Sequence, residues 1–196
     1  MTPLFLASTR QRHYTYTKSE AIALKFGRMG NSMKCYIQNS QKELSITPIK
    51  QKITQVAKSV VALEKKNTSY DEVSLYFVSD AQMRKLHNEF FNDPSSTDCI
   101  SFPFDDPEEH EKDLIAELSP SGKILGEIFV CPKTAIEYAA KHKKNPYDEL
   151  ALYIVHGLLH LLGYDDIEIN ERKKMRKAEK KHLQELISKG IIPFLS

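Results

Sequence analysis

The stretch Leu150-Ala151-Leu152-Tyr153-Ile154-Val155-His156-Gly157-Leu158-Leu159-His160-Leu161-Leu162-Gly163-Tyr164-Asp165-Asp166 decides how this chain must fold. As far as Leu162 it is apolar almost all round, and a helix with no polar face belongs inside a core. Gly163 is suited to end that helix in a left-handed turn, which would bring residues 164–166 back towards the histidines. His156 and His160 are spaced by four, so they lie one above the other on one face, with Cβ atoms about 5–6 Å apart. Two buried imidazoles left unsatisfied would cost about 1–3 kcal/mol each, and one shared metal ion removes that cost for both.

Elements with sheet-forming and helix-forming patterns surround this helix. Lys34–Gln38 reads as a short strand, and Thr47-Pro48 opens a helix to about Lys66 whose apolar face is Ile49, Ile53, Val56, Ala57, Val60 and Val61. Val73–Val78 is a strand by its β-branched and aromatic content, followed by an N-cap at Asp80 and a helix over Ala81–Phe91. Thr97–Phe102 is a strand ended by Pro103, and Ile124–Val130 another, separated by an acidic, solvated loop over Asp105–Glu117. Helices at Pro132–His142, Tyr147–Leu162 and Glu168–Lys189 complete the order β-α-β-α-β-β-α-α-α. The expected class is α/β (α+β): a small mixed β-sheet packed against helices, with a metal site at the end of a buried helix.

The 196 residues suffice for one domain, expected over 33–196, with 1–32 as an N-terminal extension or the product of a start codon placed too far upstream. A formal charge of +2 is too near neutral to announce a nucleic-acid binder, so any such binding must come from local patches. Cys35, Cys99 and Cys131 are odd in number and widely spaced, which fits a reducing, cytoplasmic setting. No apolar run is long enough to span a bilayer, and no signal-peptide pattern opens the chain.

Positions 156, 160, 163 and 166 reproduce the spacing of the H-E-x-x-H-x-x-G-x-x-H zinc signature. Gly157 stands where a peptidase carries its general base, which weakens a metallopeptidase-like reading. Asp166 stands where that signature has its third histidine, and a carboxylate oxygen is an accepted zinc donor. An anionic donor makes bound water less acidic and raises tolerance for harder divalent ions such as manganese. The alternative without metal is a buried histidine pair hydrogen-bonded to Asp165, Asp166 or backbone carbonyls. Asp165 is read as supporting rather than ligating.

The segment HGLLHLLGYDD resembles the hallmark H-G-x-L-H-L-x-G-Y-D-H of the YbeY family, single-strand-specific metallo-endoribonucleases of bacterial rRNA maturation. Thr97-Asp98-Cys99-Ile100-Ser101-Phe102-Pro103 is similar to the family block TDVLSFP, and Leu125-Gly126-Glu127-Ile128 to LGDI. The resemblance covers about Met33 to Ile187. It implies a zinc ion held by His156, His160 and Asp166, single-stranded RNA as substrate, and a role in 16S rRNA 3′-end maturation and quality control of the small ribosomal subunit. The family's third histidine is Asp166 here, and its arginine upstream of TDVLSFP falls on Phe91, with Arg84 or Lys85 as substitutes on the same helix. These departures keep a second reading open, a ribosome-associated metal-binding protein with weak or no catalysis.

For a phosphodiester, either metal-bound water attacks phosphorus or the RNA 2′-hydroxyl attacks while a phosphoryl oxygen is polarised. Glu127 and Asp98 are the carboxylates to consider as general base. Asp98 has equal claim to capping a turn or orienting a ligand histidine. Basic runs at Lys141, Lys143, Lys144 and at Arg172, Lys173, Lys174, Arg176, Lys177, Lys180, Lys181 are suited to an RNA backbone or, on the last helix, to pairing with its own glutamates. His13, His87, His110, His142 and His182 are expected on the surface.

Overall fold

A computed structural model describes residues 33–64, 70–104 and 123–194. The extension 1–32, the acidic loop at 105–122 and the end of the first helix beyond Glu64 lie outside the described residues. Strand β1 (Lys34–Asn39) is followed by a single 3₁₀ turn at Thr47–Ile49, which carries Pro48 and leads into α1 (Lys50–Glu64). Next come β2 (Glu72–Phe77), α2 (Asp80–Phe91), β3 (Cys99–Pro103) and β4 (Ile124–Val130). The chain then runs through α3 (Pro132–His142), α4 (Pro146–Leu161) and α5 (Ile169–Ser188). The order is the one read from the pattern of apolar residues.

The sheet has the order β1-β2-β4-β3, with β1, β2 and β4 parallel and β3 antiparallel at the edge. Parallel neighbours need a crossover, which α1 supplies between β1 and β2. Val73, Leu75 and Phe77 of β2, and Ile128 and Val130 of β4, are fully buried. On the same face Ser101 of β3 donates its hydroxyl to the Gly157 carbonyl at 3.1 Å, which places α4 against β3 and β4. The opposite face carries Phe102 and Phe129, and α2 lies over it, with the Phe90 ring tilted against Phe102 at a centroid distance of 4.7 Å.

Helix α4 is the hub: it packs against α1, α3, α5, β3 and β4. Leu150, Ile154, Leu158 and Leu159 are fully buried, each contributing about 1.5–3 kcal/mol of transfer free energy. Asn145 caps its start by accepting from Tyr147 N at 2.9 Å, with Pro146 in the first turn. Its end is a Schellman motif. Gly163 has φ +93°, its N–H reaches the His160 carbonyl, and Tyr164 N reaches the Leu159 carbonyl, both at 3.0 Å.

Three expectations need correction. The cap of α2 is Ser79 instead of Asp80: its hydroxyl accepts from Gln82 N while the Gln82 side chain accepts from Ser79 N, a reciprocal capping box. Strand β3 begins at Cys99, because the Asp98 carboxylate accepts from Cys99 N and turns the chain before it. His87 and His182 are buried rather than superficial. His87 Nδ1 donates to the Ser95 carbonyl at 2.9 Å, and His182 Nε2 meets Glu64 Oε1 at 2.8 Å, so each buried ring has a hydrogen-bond partner. His142 is exposed.

Candidate metal centre

The C-terminal half of α4 presents both histidines towards one point. His156 Nδ1 lies 2.7 Å from Glu179 Oε1 on α5, and His160 Nδ1 lies 3.0 Å from the Tyr164 carbonyl. A carboxylate and a carbonyl only accept, so both rings carry their proton on Nδ1. The two Nε2 atoms then face each other 3.1 Å apart with their lone pairs converging. That arrangement is repulsive unless a cation or a shared proton lies between them.

Asp166 completes the set. Its Oδ1 is 3.7 Å from His160 Nε2 and its Oδ2 is 4.0 Å from His156 Nε2. Oδ1 is buried and has no hydrogen-bond partner among the described residues, a costly state for a carboxylate oxygen. The three ligating atoms all lie within 4.8 Å of one another. Donors bonded at about 2.0–2.2 Å around a tetrahedral ion stand roughly 3.4 Å apart, so these separations fit a single divalent ion. The orphaned oxygen and the facing nitrogens are both accounted for by such an ion.

The electrostatics agree with that geometry. Burial disfavours the His156 imidazolium, but the Glu179 hydrogen bond and the charges of Asp98, Glu179 and Asp166 outweigh it and hold the ring above its ordinary range. His160 moves the opposite way: burial lowers it first, and positive charge on His156 lowers it further. The pair therefore resists holding two protons and accommodates one positive centre between the rings.

The loop that carries Asp166 is held by Asp165, read from the sequence as supporting, and by Arg172 and Glu64, which sequence reasoning missed. Asp165 Oδ1 accepts from Asp166 N at 2.7 Å and Ile167 N at 3.2 Å, a local turn that sets the direction of the Asp166 side chain. Arg172 donates from Nε to the Asp166 carbonyl and from Nη2 to the Ile167 carbonyl, both at 2.9 Å. Its guanidinium clamps the loop instead of facing solvent with the other cations of α5. Tyr164, whose carbonyl holds His160, is anchored through its hydroxyl to Glu64 Oε2 at 2.8 Å. Glu179 left one trace in the sequence: it is four after Met175 and four before Leu183, on the apolar stripe of an otherwise charged helix.

Asp98 and Glu127 are placed differently. In antiparallel pairing Glu127 stands opposite Phe102, on the face away from Ile128, Ser101 and the metal helix, and its Oε1 accepts from the Tyr76 hydroxyl at 3.0 Å. The structure does not bring Glu127 to the histidines. Asp98, just before β3, acts on His156 through its charge, while its Oδ1 accepts from Cys99 N and Thr97 Oγ1. Phe91 is half-buried beside His87, with ring centroids 5.4 Å apart. Arg84 is engaged with Asp80 at 2.9 Å and reaches the Pro94 carbonyl, and Lys85 is exposed.

Glu179→Gln removes the charge that holds the His156 ring and strengthens its donor atom. It is expected to weaken divalent-metal affinity about 10- to 100-fold in a competitive chelator titration. Affinity within twofold of the unsubstituted chain would mean that Glu179 does not support the site.

A mixed sheet carrying a buried helix with paired imidazoles, and a carboxylate returned by a glycine turn, defines an α/β protein with a three-residue group, His156, His160 and Asp166, able to hold a metal ion. Residues 36–187 match the family model described as Endoribonuclease YbeY. The chain belongs to the YbeY family. It is 54% identical over 124 residues to the Endoribonuclease YbeY of Protochlamydia amoebophila, spanning 63% of this chain and 76% of that protein. Its identity to the Endoribonuclease YbeY of Chlamydia felis is 37% over 156 residues, 77% of this chain and 89% of that one. The solution structure of a Thermotoga maritima protein shares the fold with a TM-score of 0.54 at 24% identity, over 80% of this chain and 91% of that one.

Proposed function

We propose that this chain is a zinc-dependent endoribonuclease specific for single-stranded RNA, acting in the cytoplasm on the 3′ end of 16S rRNA and in quality control of the small ribosomal subunit. The observation that carries the reading is the convergence of two Nε2 lone pairs and an unpartnered buried Asp166 oxygen, in a member of a family named for endoribonuclease activity. A divalent ion at this place supplies Lewis acidity towards a phosphoryl oxygen and lowers the pKa of water. The chain's own residues do the rest. Glu179 and the Tyr164 carbonyl fix the ring tautomers, Arg172 and Asp165 hold the loop, and Asp98, whose charge acts on His156, is the carboxylate assigned to take a proton. Among the described residues no helix is long and apolar enough to cross a membrane.

Purified protein supplied with zinc is expected to cut unstructured RNA, leave duplex RNA intact, and lose activity to a chelator. In the same assay Asp98→Asn keeps the acceptor for Cys99 N but cannot take a proton. It is expected to lower kcat about 10²- to 10⁴-fold with metal retained. An unchanged kcat would remove Asp98 from the chemistry.

Phe91 at the position of the family's arginine, together with Asp166 as third donor, favours one second reading, a ribosome-associated protein with a structural metal. Chelation would then lower the melting temperature although no RNA is cut under any metal condition.

A further inference from the structure

Glu64 of α1 meets three donors from two other parts of the chain. Its Oε1 accepts from Lys181 Nζ at 3.0 Å and from His182 Nε2 at 2.8 Å, both on α5, and its Oε2 accepts from the Tyr164 hydroxyl at 2.8 Å. Burial alone would raise the Glu64 carboxyl, but the hydrogen bonds from Lys181, Tyr164 and His182 outweigh it and hold the group below its ordinary range. A charged carboxylate thus joins α1, α5 and the turn after α4. His182 is the less expected member. It is fully buried on the stripe that holds Met175, Ala178 and Leu186, and its Nδ1 has no hydrogen-bond partner among the described residues. A leucine there would strand no nitrogen. What the imidazole adds is its hydrogen bond to Glu64.

The two ligand histidines are held in different ways. His156 Nδ1 donates to a carboxylate, that of Glu179, whereas His160 Nδ1 donates to the Tyr164 backbone carbonyl at 3.0 Å. Tyr164 lies beyond the helix end at Gly163, so the helix ladder does not fix that carbonyl. Two contacts do: Tyr164 N on the Leu159 carbonyl at 3.0 Å, and the Tyr164 hydroxyl on Glu64. The first pins one end of the residue and the second pins the other. Without the second, the ring is free to swing and to turn the peptide whose oxygen orients His160.

We propose that Glu64, held in place by His182 and Lys181, is a positioning residue for the metal centre: through the Tyr164 hydroxyl it fixes the carbonyl that orients His160, and so helps to set the affinity for the ion. This rests on the metal reading above. It makes the seating of α1 against α5 part of the metal site. By linkage the coupling runs both ways, so ion binding also tightens the contact between Tyr164 and Glu64.

The test is zinc affinity of the full chain by competitive chelator titration, with the melting temperature of each metal-free sample recorded beside it. Tyr164→Phe deletes the hydroxyl and keeps the ring and the carbonyl, and Glu64→Ala deletes the anchor. Each is expected to weaken affinity about 3- to 30-fold. The double variant is expected to lose no more than the weaker-binding single variant, because both substitutions cut one link. Val61→Ala, buried one turn earlier on α1, is the control: it is expected to lower the melting temperature and to keep affinity within twofold of wild type. Should Glu64→Ala fail to fold, Tyr164→Phe against Val61→Ala decides. Single variants within twofold of wild type, losses that multiply in the double variant, or an equal loss in Val61→Ala each overturn the positioning role and leave the metal centre standing. A wild-type chain that binds no zinc overturns the metal reading and the positioning role with it.

Discussion

Replacement of His156 by alanine is expected to lower RNA cleavage by on the order of 10³-fold or more and to leave the protein with well under one divalent ion per chain. A ligand loss should exceed the cost of removing a group that merely orients one, about 10- to 100-fold. Losing Lewis acidity worth several kcal/mol in the transition state corresponds to at least three decades in rate. The substitution also deprives Glu179 of the ring 2.7 Å away and leaves His160 and Asp166 as a two-donor remnant. The comparison is His142→Ala, an exposed histidine of α3 outside the donor set, for which metal content and cleavage are expected to match the wild type. Elemental analysis and an RNA assay on the same samples decide it; full cleavage by the His156 variant would contradict the metal reading.

Gly126→Ala is expected to be the most damaging single methyl in the structure. Gly126 has φ +147°, and a Cβ there would lie 2.4 Å from the Phe102 carbonyl, 2.8 Å from Leu161 Cδ2 and 3.0 Å from Pro103 Cα. Two of those three atoms are backbone of the neighbouring strand and cannot swing aside. The residue sits where the β2–β4 register shifts, between Ile124 and Glu127, an irregularity that L side chains tolerate poorly. Strain of about 1–3 kcal/mol and overpacking of about 1–3 kcal/mol add to a loss near 4 kcal/mol, or about 8–16 °C in melting temperature for a chain of this size. Gly157→Ala meets Ile128 Cγ2 at 2.6 Å and Ser101 Oγ at 3.1 Å, but these are side chains, and the helix gains up to about 1 kcal/mol from alanine. Its loss is expected at about 1–2 kcal/mol. Chemical denaturation separates the two, and a Gly126→Ala protein within 1 kcal/mol of wild type would show that the close approach of α4 to β3 and β4 is not rigid.

Those two glycines explain part of what the sequence displayed. The LGEI and HGLLH segments were legible as motifs, and their glycines prove to be points of close approach, Gly126 against the β3 backbone and the Leu161 side chain, Gly157 against the side chains of Ile128 and Ser101. The position of the two histidines was legible because an all-apolar helix has only one setting, the core, and a spacing of four has only one consequence there. The turn at Gly163 was legible for a similar reason, since its φ of +93° suits glycine above other residues.

The side of the sheet on which Glu127 falls was not legible. Leu125, Ile128, Phe129 and Val130 make β4 nearly continuous in apolar character, so alternation could not assign a face, and the register shift at Gly126 removes the parity that remained. Glu64 with His182 and Glu179 with His156 were hidden by sequence separations of 118 and 23 residues. In each case a charged residue on a helix that looked solvated was drawn inside by a partner that only tertiary packing supplies. Arg172 was hidden among its neighbours, since nothing in a run of cations marks the one whose guanidinium meets two carbonyls.

The central claim is that His156, His160 and Asp166 bind one divalent ion together. Anomalous diffraction from crystals of the zinc-loaded protein, collected on both sides of the zinc absorption edge, tests it most directly. The account predicts one peak per chain at about 2.0–2.2 Å from both histidine Nε2 atoms and from a carboxylate oxygen of Asp166. A site empty of anomalous signal, or a peak that Asp166 does not touch, would contradict it.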